Sequence, residues 1–234
     1  MHDLAVTIPL IADLLAGRQP GLWPVVLLSL QVSAIATVLS AILALPIAAA
    51  IALFQFRGRN LIIAVLNALM GLPAVVVGLL VYLLLSRAGP LGQLGILFTP
   101  TAMVIAQTIL VLPLITALAR QMLEDSLREL GPYLLSLKAT RTDMVMTVLM
   151  ETRLSLLTAL LAGFGRAAAE VGAVMIVGGN IEGVTRTMTT AIALETSKGD
   201  LALALALGFI LIAVVLAVNA CAQWLRMRSH ATLG

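Results

Sequence analysis

Four stretches of the chain run without a charged residue: 19–56, 60–86, 88–119 and 201–225. A helix crosses a bilayer core with about 20 apolar residues, so each can cross once. In the third, "GPLGQLG" (89–95) reads as a turn and leaves 98–119 as the span. A fifth apolar stretch, 150–177, is interrupted only by Glu151, Arg153, Arg166 and Glu170. The pattern predicts five transmembrane helices, over 22–54, 61–86, 98–119, 150–177 and 201–225. Pro46 is expected to bend the first, and Pro73 and Pro113 to kink the second and third.

The segment before the first span, 1–21, has a different pattern. Leu4, Ile8, Ile11 and Leu15 recur at helical spacing, while Asp3, Asp13 and Arg18 break the apolar run. This predicts an amphipathic helix lying at the membrane interface. Met1-His2-Asp3 lacks the basic start of a cleavable signal peptide, so the first span is expected to stay as an anchor. Trp23 and Trp224 fall near opposite ends of the first and last spans and read as interfacial anchors.

Composition agrees with a membrane chain. Of the 234 residues, 61% are hydrophobic and 11% are charged, against about 25% charged in a soluble domain. The polar remainder sets the orientation. With the N-terminus outside, the inner segments hold Arg57, Arg59, Arg120, Arg128, Lys138, Arg141, Arg153, Arg226 and Arg228. The outer segments hold only Arg18, Arg87, Arg186 and Lys198. The positive-inside rule therefore places the N-terminus outside and the C-terminal tail, 226–234, in the cytoplasm. A long cytoplasmic loop, 120–149, follows the third span. Pro132 is expected to break it after "RQMLEDSLREL", and "LKAT" (137–140) to interrupt it before a helix from Arg141. It reads either as a solvated helical hairpin or as a docking element for a cytoplasmic partner.

Several chemistries are excluded or weakened. There is no phosphate-binding G-x-x-x-x-G-K-[ST] loop, no H-E-x-x-H, no G-x-S-x-G and no aspartate-rich cluster. One cysteine (Cys221) and two histidines (His2, His230) offer neither a disulfide framework nor a metal constellation. A net charge of +3 gives no nucleic-acid face. Nothing calls for a cofactor or a catalytic residue. A self-sufficient carrier or channel stays open as an alternative, although an odd number of spans does not divide into two similar halves.

Two groups of polar residues stand out. On a continuous helix Arg166 and Glu170 lie on one face, four residues apart, well inside the bilayer core. They read as an ion pair that survives burial, as a lock or gate on the pathway, or as a direct anion contact at Arg166. Gly163, Gly165, Ala167, Ala168, Ala169, Gly172 and Ala173 give the same stretch a small-residue surface for close helix approach. The second group follows Asn180, where Gly183 is expected to begin a short helix whose first turns carry Thr185, Arg186, Thr187, Thr189 and Thr190. These residues either cap the helix or, with its free N–H groups, suit a tetrahedral dianion.

The stretches "SLQVSAIATVLSAILALPIAAAIA" (29–52), "LMGLPAVVVGLLVYLLLSRAGPLGQLGILFTPTAMVIAQ" (69–107), "GFGRAAAEVGAVMIVGGNIEGVTRTMTTAIALETSKGD" (163–200) and "ALALGFILI" (204–212) resemble the membrane-spanning permease subunit of binding-protein-dependent ABC importers. Within that family the chain is similar to the tungstate branch, related to the molybdate and sulfate permeases. The resemblance implies the all-α type I permease fold and a homodimer around a translocation pathway. It also implies two cytoplasmic ATPase subunits and an extracytoplasmic oxyanion-binding protein. It further implies a coupling helix in the loop after the third span, here Leu137, Lys138, Ala139, Thr140 and Arg141. The family pattern there is Glu-Ala-Ala, three residues, Gly, nine residues, Ile-x-Leu-Pro. This chain has Pro132-Tyr133-Leu134 for the triplet, Lys138 for the glycine and Val148 for the isoleucine, with Met150-Glu151 for Leu-Pro. A left-handed turn would cost a lysine about 1–2 kcal/mol, so a differently shaped loop is expected.

Overall fold

The computed structural model describes residues 7, 9–11, 13, 14 and 22–231, with the backbone alone at 141 and 225–231. The elements are α1 (Leu22–Leu53), α2 (Arg59–Leu69), α3 (Ala74–Leu85), a 3-10 turn (Gly92–Leu94), α4 (Pro100–Ser136), α5 (Arg141–Ala168), α6 (Gly172–Gly178), α7 (Met188–Lys198) and α8 (Leu201–Ala231). The described residues are thus all-α. Helix is what an apolar chain in lipid must adopt, because it satisfies every backbone N–H and C=O internally. Among the described residues, four helices are long and apolar enough to cross a membrane: Leu22–Leu53, Pro100–Ser136, Thr142–Ala168 and Leu201–Trp224. The pair α2 and α3 makes a fifth if counted together.

Three expectations are corrected. The run 61–86 is two helices, parted at Met70–Pro73, where Gly71 and Pro73 both weaken helix propagation. The stretch 150–177 is also two helices, parted at residues 169–171. Pro132 does not break its loop: it lies inside α4, which runs 17 residues past Ala119 to Ser136. The ring leaves one carbonyl of the preceding turn unbonded, and Pro132 is exposed, so water can satisfy that group. Pro46 likewise lies inside the continuous α1.

The chain forms two compact units. The first comprises residues up to 35, 74–107 and 168 onward; the second comprises 36–73 and 108–167. In the first, Leu22 and Val26 of α1 pack with Met188 and Ala191 of α7 and with Ala206, Leu207 and Ile210 of α8. Leu14 is buried in that cluster and Ile11 packs against it, so both meet protein rather than an interface. Leu4, Ile8 and Leu15, with Asp3 and Arg18, lie outside the described residues, as does the end of the tail, 232–234. Helices α3 and α6 approach very closely: a Cβ on Gly78 would sit 2.7 Å from the Cα of Ala173.

The second unit is built on small residues. Ala48, Ala49 and Ala52 of α1 pack on Ala119 and Leu123 of α4 and on Val148 and Leu156 of α5. Ala44, Val111, Ile115 and Ala167 form a neighbouring cluster. Gly163 of α5 faces the side chains of Ile115 and Val111, and a Cβ there would lie 2.7 Å from Ile115. Part of the small-residue surface is therefore spent inside the chain. Gly165 has open space beside it and Ala169 is exposed.

Candidate functional site

The connection between α4 and α5 is a four-residue corner set by two caps. At the end of α4 the N–H of Lys138 donates to the carbonyl of Leu135 at 3.0 Å, and that of Ala139 donates to Leu134 at 3.0 Å. This paired pattern is the Schellman termination, which requires a left-handed residue. Lys138 supplies it with φ 54°. The expected difference in loop shape is thus absent: the lysine takes the conformation that favours glycine. Two residues on, Thr140 starts α5. Its N–H and hydroxyl donate to Asp143 Oδ2 at 2.9 and 2.6 Å, and the N–H of Asp143 returns a bond to the Thr140 hydroxyl at 3.2 Å. That reciprocal arrangement is a capping box closed by aspartate. Arg141 is the first residue of α5.

The corner presents apolar side chains to the outside. Leu137 is 77% exposed and Tyr133, four residues earlier on α4, is 70% exposed. Leu135, between them, is also exposed, and the exposed charged pair Asp125 and Arg128, 3.8 Å apart, stands earlier on the same helix. Exposed apolar side chains of this kind are covered either by another protein or by a membrane. Tyr133 escapes notice in the sequence because it stands in the family's acidic-alanine position.

Arg166 and Glu170 do not share a continuous helix. Helix α5 ends at Ala168, between them, so Glu170 lies beyond the helix that carries Arg166. Arg166 lies in the last turn of α5, where a cation complements the helix dipole. Glu170 is 6% exposed and its Oε1 accepts the N–H groups of Gly172 at 2.9 Å and Ala173 at 3.4 Å, the first of α6. Bonds from backbone N–H groups to a carboxylate are charge-assisted and let it stay buried. The same residue's carbonyl accepts the hydroxyl of Thr189 at 2.9 Å, which joins the helix break to α7.

The threonine segment is more closed than its sequence suggests. Helix α7 begins at Met188, five residues after Gly183. Gly179 and Asn180 both adopt left-handed backbone, with φ 70° and 50°, and turn the chain after α6. Thr185 is fully buried; its hydroxyl donates to the carbonyl of Gly178 at 2.6 Å and accepts the N–H of Ile181 at 2.9 Å. The N–H of Thr187 donates to the Thr190 hydroxyl at 2.9 Å, and that of Met188 donates to Ser29 Oγ on α1 at 2.7 Å. The threonine hydroxyls and the first N–H of the helix are thus occupied within the chain, the capping arrangement. Arg186 is different. Its Nη1 lies 3.2 Å from Glu182 Oε2, and it lines a cavity of about 540 Å³ with Gln31, Glu182 and Glu195 among apolar residues of α1, α7 and α8.

One polar group escapes the sequence reading altogether: Arg59, Arg120 and Glu124 meet in the second unit. Arg120 and Glu124 stand four apart on one helix, which sequence can show. Arg59 is 65 residues from Glu124, and no local pattern joins them.

Long apolar helices and breaks held by buried polar caps define a multi-pass membrane protein. No protein-family model matches the chain. It is 45% identical over 206 residues to a probable anion ABC transporter permease protein of Haloferax volcanii, covering 86% of this chain and 89% of that one. It is 40% identical over 208 residues to the tungstate uptake system permease protein TupB of Peptoclostridium acidaminophilum, covering 89% and 91%. The molybdenum transport system permease protein ModB of Azotobacter vinelandii is 31% identical over 177 residues, 70% and 76% of the two chains. The chain belongs to the permease subunits of ABC transporters, on the branch of the tungstate uptake permeases.

Proposed function

We propose that this chain, as a homodimer, forms the translocation pathway of an ABC importer for tungstate or a closely related oxyanion. Two separate ATPase subunits hydrolyse ATP in the cytoplasm, and an extracytoplasmic binding protein delivers the anion. The observation that carries this reading is the 40% identity extending over 91% of a tungstate uptake permease. The permease sits in the cytoplasmic membrane with its N-terminus outside and its C-terminus inside, the orientation that keeps most basic residues in the cytoplasm. The corner Leu137–Arg141, with Tyr133, is the ATPase contact, supported by its exposed apolar side chains between charged helices. Arg166, Glu170, Asn180, Thr185, Arg186 and Thr187 belong to the pathway or its gate. The buried, hydrogen-bonded threonines and Glu170 act there by holding helix ends, and Arg186, on its cavity, is the member with a cation to present.

Expression of this chain with its ATPase and binding protein in cells lacking a tungstate permease tests the reading. It predicts restored accumulation of labelled tungstate at submicromolar supply, on the order of tenfold or more above the parent cells. Accumulation equal to the parent's would contradict it, and restored uptake of molybdate alone would select the molybdate reading, which the 31% relative also supports.

A further inference from the structure

Glu124 of α4 takes two guanidinium groups at once. Arg120, one turn earlier, donates from Nη1 to Oε2 at 2.6 Å, and Arg59, the first residue of α2, donates from Nη2 to Oε1. Arg59 also donates from Nε to the carbonyl of Ile51, in the last turn of α1, at 2.8 Å. The three side chains are between 12% and 16% exposed. One carboxylate therefore ties together the end of α1, the start of α2 and the middle of α4.

We infer that Glu124 is a positioning residue: a brace through which movement of the corner 137–140 reaches α2. The inference rests on the reading of that corner as the ATPase contact. Glu124 lies on α4, which runs unbroken to Ser136 at the edge of the corner, 12 residues on and about 18 Å at 1.5 Å per residue. Glu124, α2 and the corner all fall in the same compact unit. Helix α2 has no buried residue, so packing alone gives it little anchorage, and its start is fixed by the two bonds of Arg59. The charges reinforce this. With the carboxylate present, two cations face one anion; without it, two guanidinium groups face each other and repel, and the start of α2 is released. A rigid helix joined to a second helix through an ion pair is the kind of contiguous network that carries coupling.

The test uses the complete importer in proteoliposomes, in a Cys221→Ser background. A spin label is placed on α2 through Leu61→Cys or, separately, beside the corner through Leu135→Cys; both positions are exposed. ATP with vanadate is expected to change the mobility of both labels. In Glu124→Gln the Leu135 label is expected to respond while the Leu61 label stays silent. Uptake should fall at least tenfold, with the ATPase still bound and hydrolysing ATP at half the parent rate or more. Arg59→Lys, which keeps the charge but loses the bond to Ile51, should show the same separation if Glu124→Gln folds poorly. A Leu61 response in the variants equal to the parent's overturns the inference. So does a parent in which the corner responds and α2 does not, or variants in which both labels and ATPase binding are lost together. Silence at Leu135 with the ATPase bound contradicts the docking reading itself, and the inference falls with it.

Discussion

The carboxylate of Glu170 accepts the backbone N–H of Gly172 at 2.9 Å, across the break that separates α5 from α6. An acid buried at membrane depth is thereby put to local use, holding a helix end that would otherwise leave its first donors unbonded. Loss of such a cap costs about 0.5–2 kcal/mol. Glu170→Ala should lower the thermal unfolding temperature of the purified permease, while Glu170→Gln, which keeps an acceptor, should lower it by less than half as much. Thermal unfolding in detergent checks this, and equal losses would show that the charge, not the cap, matters.

Lys138 holds a left-handed conformation at the corner. That geometry costs an L residue with a Cβ roughly 1–2 kcal/mol. Lys138→Gly should stabilise the permease by up to about 1 kcal/mol, after the entropy cost of glycine, and preserve ATPase binding. Lys138→Val should destabilise it, because a β-branched side chain tolerates positive φ least. A destabilising glycine would place the value of Lys138 in its ammonium group instead.

Gly78 and Gly163 offer a matched pair. At Gly78 an added Cβ meets the backbone of Ala173, which cannot yield; at Gly163 it meets the side chain of Ile115, which can rotate. Overpacking typically costs about 1–3 kcal/mol. Gly78→Ala should fall at the upper end and Gly163→Ala at the lower, read from the unfolding temperatures of the two variants. The reverse order would mean that α3 and α6 separate more easily than their approach implies.

Much of the fold was legible because lipid demands it. The charge-free runs 19–56, 98–119 and 201–225 each hold a helical stretch long enough for the bilayer core. The break at 70–73 was legible as the kink expected at Pro73, whereas that at 169–171 was hidden because the sequence is apolar on both sides and hydropathy does not change where the helix stops. Arg166 and Glu170 have the spacing of a helical pair, and only the position of Ala168 as a helix end shows that no continuous helix runs through both. The threonines after Asn180 were identified as polar residues at a helix start. What sequence does not reveal is that the carbonyls of Gly178 and Glu170 already accept the hydroxyls of Thr185 and Thr189, and that Ser29 accepts the N–H of Met188. Glu124 was one acid in a charged loop until the fold brought Arg59 to it.

The ATPase contact makes a sharp prediction at Leu137. A charged side chain on this exposed apolar residue should leave folding intact, because surface substitutions away from packed features usually stay within about 0.5 kcal/mol. Leu137→Asp should nevertheless reduce co-purification of the ATPase at least tenfold, and deletion of 137–140 should abolish it. Undiminished co-purification of both variants would remove the corner from the interface.

Arg186 separates the pathway from the coupling machinery. Arg186→Ala should lower anion uptake several-fold while the ATPase stays bound, and Arg186→Lys should retain part of the activity through its charge. Uptake and competition assays on the intact importer check this. Unchanged uptake in Arg186→Ala would take the residue out of the pathway and leave its pairing with Glu182 as its role.

The central claim is that this permease moves an oxyanion only as part of an ATP-driven assembly. The most direct measurement is labelled tungstate uptake into proteoliposomes holding this chain, its ATPase and its binding protein, with each component and ATP omitted in turn. Excess sulfate and molybdate serve as competitors. The account predicts uptake that requires every component, resists sulfate and yields to molybdate. Uptake by this chain alone, without nucleotide, would contradict it and make the permease a carrier in its own right.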